Sequence, residues 1–421
     1  MASPAPTQPA LLRTVLGGIL ALAAAMGIGR FAFTPILPAM QQATPLDTAQ
    51  AGLLAAANYA GYLVGAVLIA VAVPVAMRRG ILMGSLVAIA ATTAAMAATT
   101  NFLAWGVIRF VAGLASGGVF VLASGLVLDT LRRAGHAARS GWLYSGPGVG
   151  IAVSGLAVRA AGATVGWRGD WLILALFSAL VLYPCWRWLP RGGDQKSATG
   201  ATAPAQLTLP RFVVALLFAA YFLEGLGYIV TGTFLVAIVN RMPGLDGFGN
   251  AMWIVVGVAA IPSGVLWVLL GSRTGYARAL ALAYVAQACG ILLPLLGGAG
   301  AALASAVIFG GTFLGITALT LALAGRLAPH RTARLIGMLT AIYGLGQVIG
   351  PVFAGFVAAR SGGFGPALVA AAAIILLGGA LMAVFHACDP SRVNWLSRRG
   401  GCDAIAARTP QNQPPRSRST Q

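Results

Sequence analysis

The sequence predicts an all-α integral membrane protein of twelve transmembrane helices, arranged as two pseudo-symmetric six-helix bundles. Three observations carry this. Of 421 residues, 59% are hydrophobic and only 8% are charged, whereas a soluble domain is about a quarter charged; so little charge cannot cover a water-exposed surface. Residues 48–77, 80–108, 247–272, 279–325 and 335–359 contain no Asp, Glu, Lys or Arg, and a spanning helix needs roughly 20 apolar residues. Finally, the basic residues gather on alternate connections between the apolar runs.

The spans fall at 12–39, 48–74, 81–100, 102–128, 140–161, 170–189, 211–240, 248–270, 279–297, 300–325, 336–359 and 364–387. The start of the chain, with Arg13 before an apolar stretch, resembles a signal peptide. Its apolar run continues to Leu37, too long for a signal h-region, so it reads as an uncleaved first span after a cytoplasmic N-terminal tail, 1–11. The 279–325 run holds two spans, divided at Gly297-Gly298-Ala299-Gly300. Segment 190–210 is polar and rich in turn residues, a cytoplasmic linker between a bundle at 12–189 and another at 211–387. A basic cytoplasmic tail, 388–421, follows. With the N-terminus in the cytoplasm, the outside loops hold only Arg159, Arg168, Arg241 and Arg360. The other loop and tail arginines lie inside, so the positive-inside rule places both termini in the cytoplasm.

The formal charge is +19. Such an excess can signal nucleic acid, but that requires a basic soluble face, and here the charge sits in short loops and the tail. Cys185, Cys289, Cys388 and Cys402 show no CxxC pair, and most lie on the reducing side, which argues against disulfides and zinc. The histidines His136, His330 and His386 lie in or beside cytoplasmic loops, and no HExxH, G-x-S-x-G or phosphate-cradling motif is present, so the sequence offers no footing for catalysis, a metal or a cofactor.

The two halves echo each other. Gly27-Ile28-Gly29-Arg30 in the first span has a counterpart in Gly225-Leu226-Gly227-Tyr228 in the seventh. Gly146-Pro147 in the fifth is matched by Gly350-Pro351 in the eleventh. Parallel repeats of this kind are a transporter architecture, with the site at mid-membrane between them. Local motifs agree. RFVAGLASG (109–117) resembles the RxxxGxxxG motif of the major facilitator superfamily, and GPGVG (146–150) its glycine-proline motif. GIGRFAFTPILPAM (27–40), AANYAGYLVGA (56–66), SGWLYSGPGVGI (140–151) and YFLEGLGYIVTGTF (221–234) are similar to the YbfB/YjiJ-type branch, and the resemblance covers about residues 11–388. It departs at the loop between spans two and three. The family's G-x-x-x-D-R-x-G-R-R is reduced here to Val73-Pro74-Val75-Ala76-Met77-Arg78-Arg79-Gly80, which puts the gate latch of that loop in question.

Charge within a span is costly and is retained at pathways or paired sites. Three residues therefore stand out. Glu224 is an acid inside the seventh span, sharing a helix face with Tyr221 and Tyr228 at i−3 and i+4; a sheltered carboxyl can carry protons. Arg30 has two competing uses, binding an anionic solute or neutralising Glu224. The bland alternative is that it satisfies backbone carbonyls freed near Pro35 and Pro38. Arg109, by the resemblance, faces the cavity and takes part in coupling; by its position near Asn101 it snorkels to the outer surface. Asn58 and Tyr62 share a face of span two, Tyr343 and Gln347 share one of span eleven, and Tyr144 opens span five. These polar and aromatic residues suit a solute cavity. The glycine pairs Gly61/Gly65, Gly113/Gly117 and Gly146/Gly150 let helices approach closely.

The expectation is a secondary transporter, not an enzyme, in a bacterial cytoplasmic (inner) membrane. It is a monomer that moves a small polar or amphipathic solute by alternating access, coupled to protons, with a slight lean to efflux. Its partners are the solute, protons and the lipid bilayer, without nucleic acid. The alternative is a membrane sensor or scaffold that keeps the fold without transporting.

Overall fold

The first apolar run does not fold as one helix. In the computed structural model, which describes residues 8–190, 211–327 and 332–388, it begins as α1 (Gln8–Leu22) and widens into a π-helical stretch, Ala23–Ile28. It turns at 29–32 and resumes as α2 (Phe33–Ala43). The widening shows in its bonds: Gly29 N donates to Ala24 O at 2.8 Å and Phe31 N to Met26 O at 3.1 Å, both five residues back. The cause is local. Pro35, in the first turn of α2, lacks the N–H that a continuous helix would use, and Gly27 and Gly29 tolerate an irregular path, whereas Pro38 is carried within α2. The matching Gly-x-Gly at Gly225 is followed by no proline, and there α7 (Arg211–Asn240) runs unbroken. The two copies are alike in sequence but not in backbone.

Next comes α3 (Thr48–Ala72). Asp47 caps it in a reciprocal box: Gln50 N donates to Asp47 Oδ1 at 2.7 Å, and Asp47 N to Gln50 Oε1 at 3.2 Å. One of the chain's few acids is thus a helix cap. Two further helices follow, α4 (Arg78–Ala95) and α5 (Phe102–Arg133), the latter capped by Asn101 Oδ1 on Ala104 N. The close approach expected from glycine spacing is between α3 and α5. Gly61 and Gly65 lie on the carbonyls of Phe110 and Leu114, while Gly113 and Gly117 lie on those of Asn58 and Tyr62. Each helix offers its glycines to the other's backbone, and a methyl group would not fit at any of the four.

A 3₁₀ stretch, Ala137–Ser145, leads into α6 (Gly146–Trp188). This element is two arms, because Gly162 (φ 61°) and Gly166 (φ 62°) adopt a backbone open only to glycine at little strain. The arms correspond to the fifth and sixth expected spans. The second half continues with α8 (Gly249–Thr274), α9 (Tyr276–Leu292), α10 (Gly298–Leu327), α11 (Thr332–Ser361) and α12 (Gly365–Ala387). Among the described residues, 11 helices are long and apolar enough to cross a membrane. The sequence predicts twelve; the difference is the first arm of α6, which is short and entered through the 3₁₀ turn.

Segments 191–210 and 389–421, expected as linker and tail, lie outside the described residues, as do 1–7, His330 and Cys402. The degenerate loop before α4 has a definite anchor. Arg79 donates to the carbonyls of Trp186 (2.8 Å), Leu189 (2.6 Å) and Pro190 (2.8 Å) at the end of α6. A guanidinium suits these carbonyls, which the helix leaves unpaired and partly negative.

Two apolar cores result. One lies within the first half, around Leu22, Leu86, Val127 and Leu143. The larger joins the halves, bringing Phe31, Phe33 and Tyr59 together with Tyr228, Phe234 and Trp253.

Candidate functional site

A cavity of about 330 Å³ lies between the two halves of the chain. Arg30, Phe31, Tyr62, Phe120 and Tyr144 line it from the first half; Tyr221, Tyr228, Phe313, Tyr343 and Gln347 line it from the second. It reaches Trp142 in the 3₁₀ stretch and Leu321 and Ala322 toward the end of α10; Trp142 is exposed there. At the other end the halves meet. Thr34 Oγ1 donates to Gly232 O at 2.7 Å, Tyr59 and Thr233 share a hydroxyl contact at 3.4 Å, and Gly52 on α3 lies against Pro351 O on α11.

Arg30 sits at the bend of the first span, 2% exposed. Its guanidinium carbon lies 4.4 Å from the Tyr62 ring centroid, 4.6 Å from that of Tyr59 and 5.2 Å from that of Phe31. Its Nε and Nη2 have no hydrogen-bond partner among the described residues. A desolvated cation–π contact is worth about 2 kcal/mol, while a buried ion loses several kcal/mol of hydration. Three such rings offset a loss of that order without supplying acceptors to Nε and Nη2. Arg30 is held by its apolar neighbours with in-plane donors unused.

Arg109 lies where neither sequence reading places it. It is 1% exposed, neither lining the cavity nor reaching the outer surface. Its Nη1 donates to Gly29 O at 3.3 Å and its Nη2 to Arg30 O at 3.0 Å, and its carbon lies 5.0 Å from the Phe33 ring. Asn58, expected in the cavity, is also turned away from it. Its Nδ2 donates to Gly29 O at 3.3 Å and to Arg109 O at 2.8 Å. The carbonyls freed at the bend are thus met by Arg109 and Asn58, not by Arg30. The physical need was legible in the sequence, but not which arginine meets it.

Glu224 is fully buried in α7 yet does not line the cavity, and it forms no ion pair with Arg30. The helical wheel explains this. At about 100° per residue, Tyr221 and Tyr228 point nearly the same way, and Glu224 is rotated roughly 40–60° from them. That turn carries it toward α9, where Gln287 faces it. Among the described residues, neither carboxyl oxygen, nor either amide atom of Gln287, reaches hydrogen-bonding geometry with a partner. Glu224 is not the chain's sole buried acid, as Asp170 in α6 is 4% exposed.

The remaining sequence-predicted residues come together. Tyr343 stacks on Tyr221 (centroids 4.4 Å, planes 17°) and on Tyr228 (5.6 Å, 11°), and Tyr228 continues onto Phe313 (5.9 Å, 8°). Gln347 Nε2 donates to the Tyr228 hydroxyl. On the other wall, Phe120 bridges Tyr62 (6.1 Å) and Tyr144 (6.3 Å). Sequence reasoning missed Phe31, Tyr59, Phe120, Trp142, Phe313 and Gln287. Most are aromatic or apolar residues in apolar helices, with nothing to mark them out. Gln287 carried a signal, as an amide inside an uncharged span needs a partner.

This geometry can be set beside known proteins. A family model described as "Uncharacterised MFS-type transporter YbfB" matches residues 22–383. The chain belongs to this family. It is a multi-pass membrane protein of the MFS transporters, and the resemblance found in its motifs holds over most of its length. It is similar to the "Chloramphenicol resistance protein" of Streptomyces lividans, with 28% identity over 246 residues, 57% of this chain and 61% of that one. The match thus spans less than two thirds of that relative. Among solved structures it resembles the nucleoside transporter NupG (TM-score 0.66, 17% identity, 90% of this chain and 98% of that one). It also resembles a bacterial homologue of the human lysosomal transporter Spinster, in an inward-facing, unoccupied conformation (0.65, 16%, 91% and 98%). At these identities the likeness concerns the fold.

Proposed function

We propose that the protein is a secondary transporter that moves a small amphipathic solute across a bacterial cytoplasmic membrane by alternating access. One observation carries the reading: the cavity between the halves is lined by a buried arginine with unused donors, reaches one end of the helices and is sealed at the other. A static scaffold would fill such a space or pair such a charge. In this reading the helices form two six-helix bundles, with the two arms of α6 as the fifth and sixth members. The open end lies on the face carrying Arg132, Arg133 and Arg326, which the positive-inside rule makes cytoplasmic, so the conformation is inward-open with both termini cytoplasmic.

Coupling to protons is assigned to Glu224, a carboxyl sheltered behind Tyr221 and Tyr343 in the helix that also lines the cavity. Export is the favoured direction, because the relative from Streptomyces lividans is named for resistance. Proteoliposomes loaded with a pH-sensitive dye and challenged with a solute panel that includes chloramphenicol test this. Solute-dependent proton movement, lost in Glu224→Gln, is the expected result. Silence toward every solute in the unmodified protein would instead mark a sensor or scaffold.

A further inference from the structure

We infer that the solute is a flat aromatic monoanion, its charged group on Arg30 and its ring against the tyrosine wall of the second half. This rests on the transport reading and narrows it. Four features converge. First, Arg30 lines the cavity while buried, and its Nε and Nη2 have no partner. The ring faces of Phe31, Tyr59 and Tyr62 attract the cation, but Nε and Nη2 reach no acceptor among the described residues. A carboxylate entering the cavity supplies the missing acceptors, in the geometry a guanidinium prefers, once the side chain turns these buried nitrogens toward it. Second, among the described residues no Asp or Glu lines the cavity, since Glu224 is rotated out of it. A cationic solute would meet a like charge with nothing to offset it, and a dianion would find one fixed cation only.

Third, Tyr221, Tyr343, Tyr228 and Phe313 form a run of near-parallel rings. Such a surface favours a flat π-system through stacking or edge contact. Fourth, about 330 Å³ lies near the lower end of the ~300–1,000 Å³ typical of small-molecule sites. That suits one or two rings rather than a peptide.

The test uses the purified full-length protein in nanodiscs and isosteric sets that differ in charge. Calorimetry compares benzoate, benzyl alcohol and benzylamine, then 2-naphthoate with its alcohol and amine, with cyclohexanecarboxylate as the non-aromatic anion. The carboxylate should bind about tenfold or more tighter than its alcohol, the amine not at all, and benzoate better than cyclohexanecarboxylate. Arg30→Gln should erase the carboxylate-over-alcohol ratio while leaving the alcohol's affinity within about twofold. Tyr343→Ala should weaken the aromatic members and spare cyclohexanecarboxylate. If Arg30→Gln does not fold, the unmodified protein's ranking decides alone.

An amine that matches its carboxylate, a ratio unchanged in Arg30→Gln, or no binding by any aromatic carboxylate overturns the inference. The two readings fail separately. Flux of neutral aromatics such as chloramphenicol without carboxylate binding removes the monoanion and keeps the transporter. Carboxylate binding at Arg30 with no solute moved in proteoliposomes keeps the ligand class and removes transport.

Discussion

Arg109 donates from both terminal nitrogens to carbonyls of the first-span bend, whereas Arg30, at the bend itself, has its Nε and Nη2 unused. The same residue type thus clamps the backbone at one position and is left with donors unused at the other, as the proposed binding role of Arg30 requires. Leaving a buried acceptor unsatisfied costs about 1–3 kcal/mol, and Arg109→Gln would strand Arg30 O and leave Gly29 O with Asn58 as its side-chain donor. Arg109→Gln should therefore lower the thermal midpoint in detergent well below that of Arg30→Gln, which removes ring contacts but also relieves burial of a charge; equal midpoints would contradict the division. Glu224 gives the opposite sign. It is fully buried with no cation or hydrogen-bond partner among the described residues, so an ionised carboxyl there opposes folding. Glu224→Gln, which keeps the shape, should leave the midpoint unchanged or raise it, and a fall of several degrees would mean that the carboxyl holds helices together. Both arginines and Glu224 were legible from the sequence as charges in apolar runs, because a charge in lipid is rare. Their orientation was not, because a rotation of half a helical step decides whether a side chain meets the cavity or the helix behind it.

The helices show the same division between what pattern reveals and what only packing decides. Span positions follow from uncharged runs, and the seam of α3 and α5 follows from glycines four apart. Yet the first-span break and the two arms of α6 depend on proline placement and on glycines at positive φ, which look like ordinary apolar sequence until neighbours are present. The seam makes a sharp prediction. At Gly113 a methyl group would overlap the carbonyl of Asn58, whereas at Gly84 on α4 nothing lies within 4 Å. Gly113→Ala should destabilise by about 1–3 kcal/mol through overpacking. Gly84→Ala should be neutral or gain up to ~1 kcal/mol from helix propensity. Denaturation of the two variants side by side checks this, and the seam is not backbone-to-backbone if they unfold alike. Arg79 is a second test at this scale. Arg79→Ala frees three carbonyls at the end of α6 and should increase hydrogen exchange at residues 185–189 while leaving α3 and α5 protected.

Across the whole molecule, the sealed end is a joint of small residues rather than a knot of ion pairs. Gly52 lies on Pro351 O, and Gly355 faces Thr48 O across the same α3–α11 contact. Such contacts are close but weakly directional, so they can part and re-form without stranding charge, as a rocking mechanism requires. A large side chain at this joint has no room in the present conformation and would favour one in which α3 and α11 separate. Gly52→Trp should therefore shift the population toward an outward-open state, closing the end where Trp142 is now exposed. In a background lacking the native cysteines, a Trp142→Cys reporter would read this. Its labelling by a membrane-impermeant maleimide applied to the cytoplasmic face of inverted vesicles should drop several-fold when Gly52→Trp is added. A population moved from mostly inward to mostly outward requires only that the wedge clash exceed the few kcal/mol separating such states. If labelling is unchanged and only the thermal midpoint falls, the α3–α11 contact is a fixed weld, and alternation would have to run through some other pair of helices.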